Sequence, residues 1–249
     1  MDQHEQKEKK LYPHPQKLND LPDHPNIEGY DFSKSFDFTS FLQSYASTGF
    51  QASNLAKGIE TIKAMKRENA TIYLTFTSNM ISSGLRDIVT YLVKEKFVDV
   101  LVTTAGGVEE DVMKIKAPFK LGTFNASPRS LYDNGVFRTG NLFIPNTRYA
   151  YLELFIDPFL KQLYEEGKKT LCTHEFIKEM GLKLEGQENA ESSYIYWAAK
   201  HDIPVFCPGL IDGSIGDMIS FFKYNHKDFY LDTTGDIVGI DKISNNAEK

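Results

Sequence analysis

The run from Val98 to Thr103 is nearly continuous in apolar residues and passes straight into Gly106-Gly107 and then Glu109-Glu110-Asp111. A strand with no polar alternation has no face to give to water, so it belongs inside a parallel sheet covered by helices on both sides. The stretch before it fits such a sheet. Thr71 to Phe76 is a short β-rich run, and Leu85, Ile88, Val89, Leu92 and Val93 then fall on one face of a helix. The resulting βαβ unit predicts a Rossmann-like α/β fold with a mostly parallel, doubly wound sheet.

Farther along, helices are expected around Tyr149 to Glu166, Thr173 to Met180 with Gly181 as a stop, Ser192 to Lys200 and Asp217 to Tyr224. Strands are expected at Ile203 to Phe206 and Phe229 to Leu231, with a last helix after them. Residues 117–140, broken by Pro118, Gly122, Pro128, Gly135 and Gly140, read as an irregular stretch, and long ordered loops are often functional. Before the first strand, Phe38, Phe41, Leu42 and Tyr45 make one helical stripe, and Leu55, Ile59, Ile62 and Met65 make another after Gly49. Residues 1–30 hold Pro13, Pro15, Pro22 and Pro25 among polar residues and read as an extended arm, with residues 31–249 as the folded portion.

A chain of 249 residues with 41% apolar residues can bury a substantial core. The formal charge of -6 argues against a general phosphate-backbone binder, so no nucleic-acid partner is expected. Only Cys172 and Cys207 occur, with no C-x-x-C pair, which supports neither a disulfide framework nor a zinc knuckle, and no metal site is expected. No stretch approaches the roughly 20 apolar residues of a membrane span, and the reading is a cytoplasmic protein. Trp197 and Phe221-Phe222 read as core, Cys207 as a small apolar residue, and His174 and His201 as helix-end residues.

Three polar segments follow strands: Thr77-Ser78-Asn79 with Ile81-Ser82-Ser83-Gly84, Thr104-Ala105-Gly106-Gly107, and Asp212-Gly213-Ser214-Ile215-Gly216-Asp217. Ligands of open α/β sheets gather outside the carboxyl ends of the strands. Each segment alone reads equally as a tight turn and a helix cap; three at equivalent positions point to a bound ligand. Small residues at Ala105, Gly106 and Gly107 would let a dinucleotide approach the backbone, and Asp212 suits adjacent ribose hydroxyls. The G-x-G-x-x-G fingerprint is missing. Glu109, Glu110 and Asp217 could recognise protonated amines by charge complementarity, or could be first-turn acids favoured by a helix dipole.

Together these stretches resemble the deoxyhypusine synthase family from about Asp31 to the last residue, most densely over 71–146 and 191–222. The resemblance implies NAD-dependent transfer of the 4-aminobutyl group of spermidine to a lysine of translation initiation factor 5A. It also implies that Ser78, Asn79, Met80, Ile81, Ser82, Thr104, Ala105, Gly106, Glu110 and Asp212 line the NAD site, and that Glu109, Glu110 and Asp217 hold spermidine. The family's nucleophilic lysine follows the stretch matched here. The expectation is therefore a subunit that works with a complementary C-terminal chain, in an assembly of four paired units. A non-catalytic regulatory paralogue that binds NAD and activates a partner is the alternative. A sirtuin-type deacylase, loosely suggested by Ser83-Gly84-Leu85-Arg86-Asp87, lacks the paired zinc cysteines, and a pure interaction module would not bind NAD.

Overall fold

The computed structural model describes residues 21–247. Residues 1–20 of the expected arm lie outside the described residues. The chain divides into two compact units, 1–67 and 68–249. In the first, residues 21–30 carry no helix or strand, and Glu28 and Ser47 bond each other's main chain and hydroxyl. Helices α1 (Phe38–Thr48) and α2 (Phe50–Arg67) follow, as their stripes predict. Asp37 opens α1 by accepting the Ser40 N–H at 2.7 Å, and Gly49 separates the helices at φ +90°, a conformation that favours glycine. Tyr30, Phe36 and Tyr45 surround the Phe41 ring at 5.2–5.6 Å.

The second unit is built around three parallel strands, β1 (Tyr73–Thr75), β2 (Val100–Val102) and, much later, β7 (Val205–Phe206), in the order β1-β2-β7. Leu101 faces Leu74 on one side and Val205 on the other and is fully buried, which explains the unbroken apolar run. Two short segments, α3 (Ser78–Ser82) and α4 (Leu85–Lys94), cross from β1 to β2. Helix α5 (Ala105–Lys116) leaves β2 after Thr103 and Thr104. The parallel α/β expectation is met.

Residues 117–140 are more ordered than their composition suggests. They hold β3 (Lys120–Leu121), α6 (Pro128–Asp133) and β4 (Val136–Thr139), and with β5 (Leu142–Pro145) they form a three-stranded antiparallel sheet in the order β3-β5-β4. The glycines and prolines mark its bends rather than a coil. Gly135 and Gly140 take φ of +64° and +58° where the chain turns.

Helix α7 (Thr147–Glu165) then carries Leu152, Ile156, Phe159 and Leu160 into the core. A strand missed in the sequence, β6 (Thr170–Cys172), pairs in parallel with β8 (Tyr230–Asp232). Helix α8 (Thr173–Lys183) does not stop at Gly181. A methyl there would lie 2.6 Å from the Ile195 carbonyl, so the glycine serves close packing on α9 (Tyr194–His201). Helix α10 (Ser214–Lys223) begins three residues earlier than expected, and α11 (Thr234–Asn246) is the last described element. Trp197 and Phe222 join the core, but Phe221 is 70% exposed, which corrects the reading of that pair as buried together. Cys207 is fully buried, and burial pushes its thiol up to about 12, in keeping with an inert apolar role.

Candidate functional site

The three polar segments converge at the carboxyl ends of β1, β2 and β7. The Ser78 N–H donates to Thr104 Oγ1 at 3.1 Å, which joins the first segment to the second. A methyl on Gly106 would stand 2.7 Å from Ser78 Cβ, and one on Gly213 would stand 2.6 Å from Glu109 Oε2 and 2.9 Å from Ala105 Cβ. The small residues therefore let the segments close on one another. Gly107 likewise accommodates the Thr103 hydroxyl. Gly106 and Gly107 are not a turn before the helix but lie in the first turn of α5. Asn79, Thr104 and Asp212 are exposed along this edge, and Ser78, Met80 and Gly106 are half-buried. Ile81 is fully buried and Ser82 nearly so, so the isoleucine side chain belongs to the core.

The start of α5 at Ala105 also changes the reading of the acids. Glu109 and Glu110 lie in the second turn, beyond the free N–H groups that would favour an acid at the helix start. Glu109 reaches across to α10, where its Oε2 accepts the Ile215 N–H at 3.3 Å. Burial raises its carboxyl above the usual range, the N–H groups of Ile215 and Ser214 pull it down, and Asp217 pushes it up again. Asp217 is exposed in the first turn of α10, so the dipole reading still holds for it.

Glu110 accepts from the Ser82 hydroxyl. Burial drives the Glu110 carboxyl up to about 7, opposed by the Ser82 bond, reinforced by Glu109 and opposed by Lys114. The Tyr149 phenol is raised by burial and by both glutamates, which places α7 on the same cluster. Two adjacent, underneutralised carboxyls with a third acid on the rim favour a cationic guest.

Below the cluster sits a buried ion pair the sequence reading did not single out. Arg86 Nε donates to Asp111 Oδ1 at 2.6 Å, and Asp111 Oδ2 accepts from Ser193 Oγ at 2.5 Å and the Ile195 N–H at 3.2 Å. It ties α4, α5 and α9 together. Tyr194 OH adds a 2.9 Å bond to the Gly107 carbonyl, so the start of α5 is held from beneath. Lys114 was also missed, although its spacing four residues after Glu110 is a usual helix-pair signal. Its Nζ donates to the carbonyls of Ile81 at 2.6 Å and Ser83 at 2.9 Å, and burial, with Arg86 adding to it, lowers it to about 8. Among the described residues there is no group of His, Cys, Asp or Glu that could hold a metal, and no helix long and apolar enough to cross a membrane. His174 lies at the start of α8 rather than at a helix C-terminus, with Nδ1 2.8 Å from the fully buried Asp236.

Fold and site define a parallel-sheet α/β protein with a polar, acid-rimmed site at the carboxyl edge of its central strands. A sequence profile for deoxyhypusine synthase matches residues 40–249, and the chain belongs to the deoxyhypusine synthase family. It is 43% identical over 204 residues to a protein of Halobacterium salinarum named a probable deoxyhypusine synthase, covering 82% of this chain and 60% of that one. It is 42% identical over 248 residues to the deoxyhypusine synthase of Senecio vernalis, covering 89% of this chain and 66% of that one. A crystal structure from Entamoeba histolytica, assigned to deoxyhypusine synthase, superposes with a TM-score of 0.62 at 30% identity, covering 88% of this chain and 78% of that one. The chain thus spans about two thirds or less of the length of these two named relatives.

Proposed function

We propose that these residues form the nucleotide- and polyamine-binding part of a deoxyhypusine synthase, a transferase that uses NAD to move the 4-aminobutyl group of spermidine to a lysine of translation initiation factor 5A. The observation that carries this reading is the meeting of three polar segments at one strand edge with Glu109, Glu110 and Asp217 around them. The residues fit the cofactor. Exposed Asn79, Thr104 and Asp212 offer an amide, a hydroxyl and a carboxylate on one edge, as ribose and amide groups require. In this reading Ser78, Asn79, Met80, Ile81, Ser82, Thr104, Ala105, Gly106, Glu110 and Asp212 hold NAD, which supplies hydride acceptance and return when bound.

Glu109, Glu110 and Asp217 hold the amines of spermidine. Glu110 stands where it touches both ligands, and an amine docking beside it would favour its ionised form. The nucleophile is assigned to no lysine of these 249 residues. The family segment that bears it is a further requirement, met in the same polypeptide or by a complementary C-terminal chain, in an oligomer of the family's kind. The setting proposed is cytoplasmic.

Calorimetric titration tests the reading. NAD should bind, Asp212→Ala should weaken it by about tenfold or more, equivalent to about 1.4 kcal/mol, and spermidine should bind more tightly with NAD present. Absence of NAD binding by the assembled protein would sink the proposal.

A further inference from the structure

Lys114 has no place in the binding roles above, yet it grips the segment that carries them. Its ammonium bonds the carbonyls on either side of Ser82, those of Ile81 and Ser83, while Glu110, one turn earlier on the same helix, takes the Ser82 hydroxyl. Residues 81, 82 and 83 are thus held by two side chains of one helix face. The Ser82 hydroxyl has two acceptors within reach, Glu110 and the Ser78 carbonyl at 3.1 Å, and only one proton to give. An ionised Glu110 draws that proton to itself. A protonated Glu110 instead donates to Ser82 Oγ and releases the serine to Ser78.

We propose that Lys114 is a positioning residue that fixes the Ser78–Ser82 segment over Glu110 and, through its charge, favours the form of Glu110 that takes a cation. The cation in that statement rests on the function proposed above; the clamp itself does not. Other charged or titratable groups bear on Glu110. Glu109 shares its helix, Tyr149 faces it from α7 and Tyr194 from α9, while Arg86 and Asp87 of α4 act on Lys114 and Asp217 of α10 acts on Glu109. Of these, Lys114 is the cation that opposes protonation of Glu110 directly.

The test is a carboxyl-carbon NMR titration of the full chain labelled with 13C-glutamate, the Glu110 signal being identified by its loss in Glu110→Gln. In Lys114→Met the Glu110 midpoint should rise by about one pH unit, and Lys114→Gln, which keeps an amide donor but no charge, should show the same rise if the methionine variant does not fold. Lys114→Arg should restore the parent midpoint. Amide exchange over 78–84 should quicken by about tenfold in Lys114→Met while β2 stays protected. An unmoved midpoint in the neutral variants overturns the proposal, even if exchange quickens, because Lys114 would then be a helix cap only. NAD titration of the same samples separates the two readings: a shifted midpoint without NAD binding supports the clamp and removes the nucleotide site, whereas NAD binding with an unmoved midpoint does the reverse.

Discussion

Glu110 and Asp111 are neighbours on one helix and meet opposite surroundings. Asp111 has no exposed surface and accepts from Arg86, Ser193 and Ile195, so that both carboxylate oxygens hold α4 and α9 against α5. Glu110, turned about 100° around the helix axis, has one protein donor, Ser82, and a second acid beside it. A single residue step separates a carboxylate whose charge is answered by the fold from one whose charge is left for something else to answer. The identity of the side chain does not distinguish them; the partners do.

The contrast can be broken most forcefully at Asp111. Asp111→Ala would leave the Arg86 guanidinium buried without its counter-charge, and a loss of about 3–5 kcal/mol is expected in urea denaturation. A loss below about 1 kcal/mol would show that water or a neighbour replaces the pair and that the two acids are less different than their contacts indicate.

Glu110→Gln should act in the other direction. A carboxyl raised to about 7 when folded, against its unperturbed 4.5, binds more protons in the folded state between those values. Its contribution to stability therefore falls as pH rises through that window and is at its worst above it. Replacing it with a neutral amide should stabilise the protein at pH 8 by roughly 3 kcal/mol, shrinking to nothing below pH 4.5, when folding is followed by denaturant titration across pH. The same variant should bind spermidine more weakly. An equal gain at both pH values would mean that better packing, not relief of a charge, is responsible.

The smallest effect on stability belongs to Asp217→Asn. The side chain is exposed in a first helical turn, so a change within about 0.5 kcal/mol is expected. If it holds an amine, its loss should nevertheless raise the spermidine requirement about tenfold or more and leave the NAD requirement in place. A matched loss for both ligands would move Asp217 from the polyamine side to a role in shaping the start of α10.

What could be read from the sequence follows from how local its cause is. The unbroken apolar run at β2 and the stripe on α4 reflect burial of whole faces, and both elements stand where they were expected. The candidate site residues could be gathered because strand ends bring them to one edge. Gly106 and Gly181 were misread as turn or stop signals because their cause is a neighbour far along the chain, Ser78 for Gly106 and Ile195 for Gly181. The antiparallel sheet over 120–145 was hidden for a similar reason: its strands are two to four residues long, too short to show alternation. Lys114 looked like any surface lysine, since nothing local says that its ammonium ends on the carbonyls of Ile81 and Ser83.

Asp236 and Tyr73 tie the last described helix to much earlier parts of the chain. Asp236 accepts from His174 and from the Cys207 N–H, and Tyr73 OH reaches the Ile240 carbonyl, 167 residues ahead of it, and Ser244. On a ribosome, at about 5–20 residues per second, the first strand would wait roughly ten to thirty seconds for that helix. During this interval the Cys207 N–H and the Tyr73 hydroxyl lack these partners, and the nascent polypeptide exposes what the finished protein conceals. The sheet can begin to pair as it is made, but these bonds wait until α11 has been synthesised, and a chaperone would have most to offer the waiting strands in that interval.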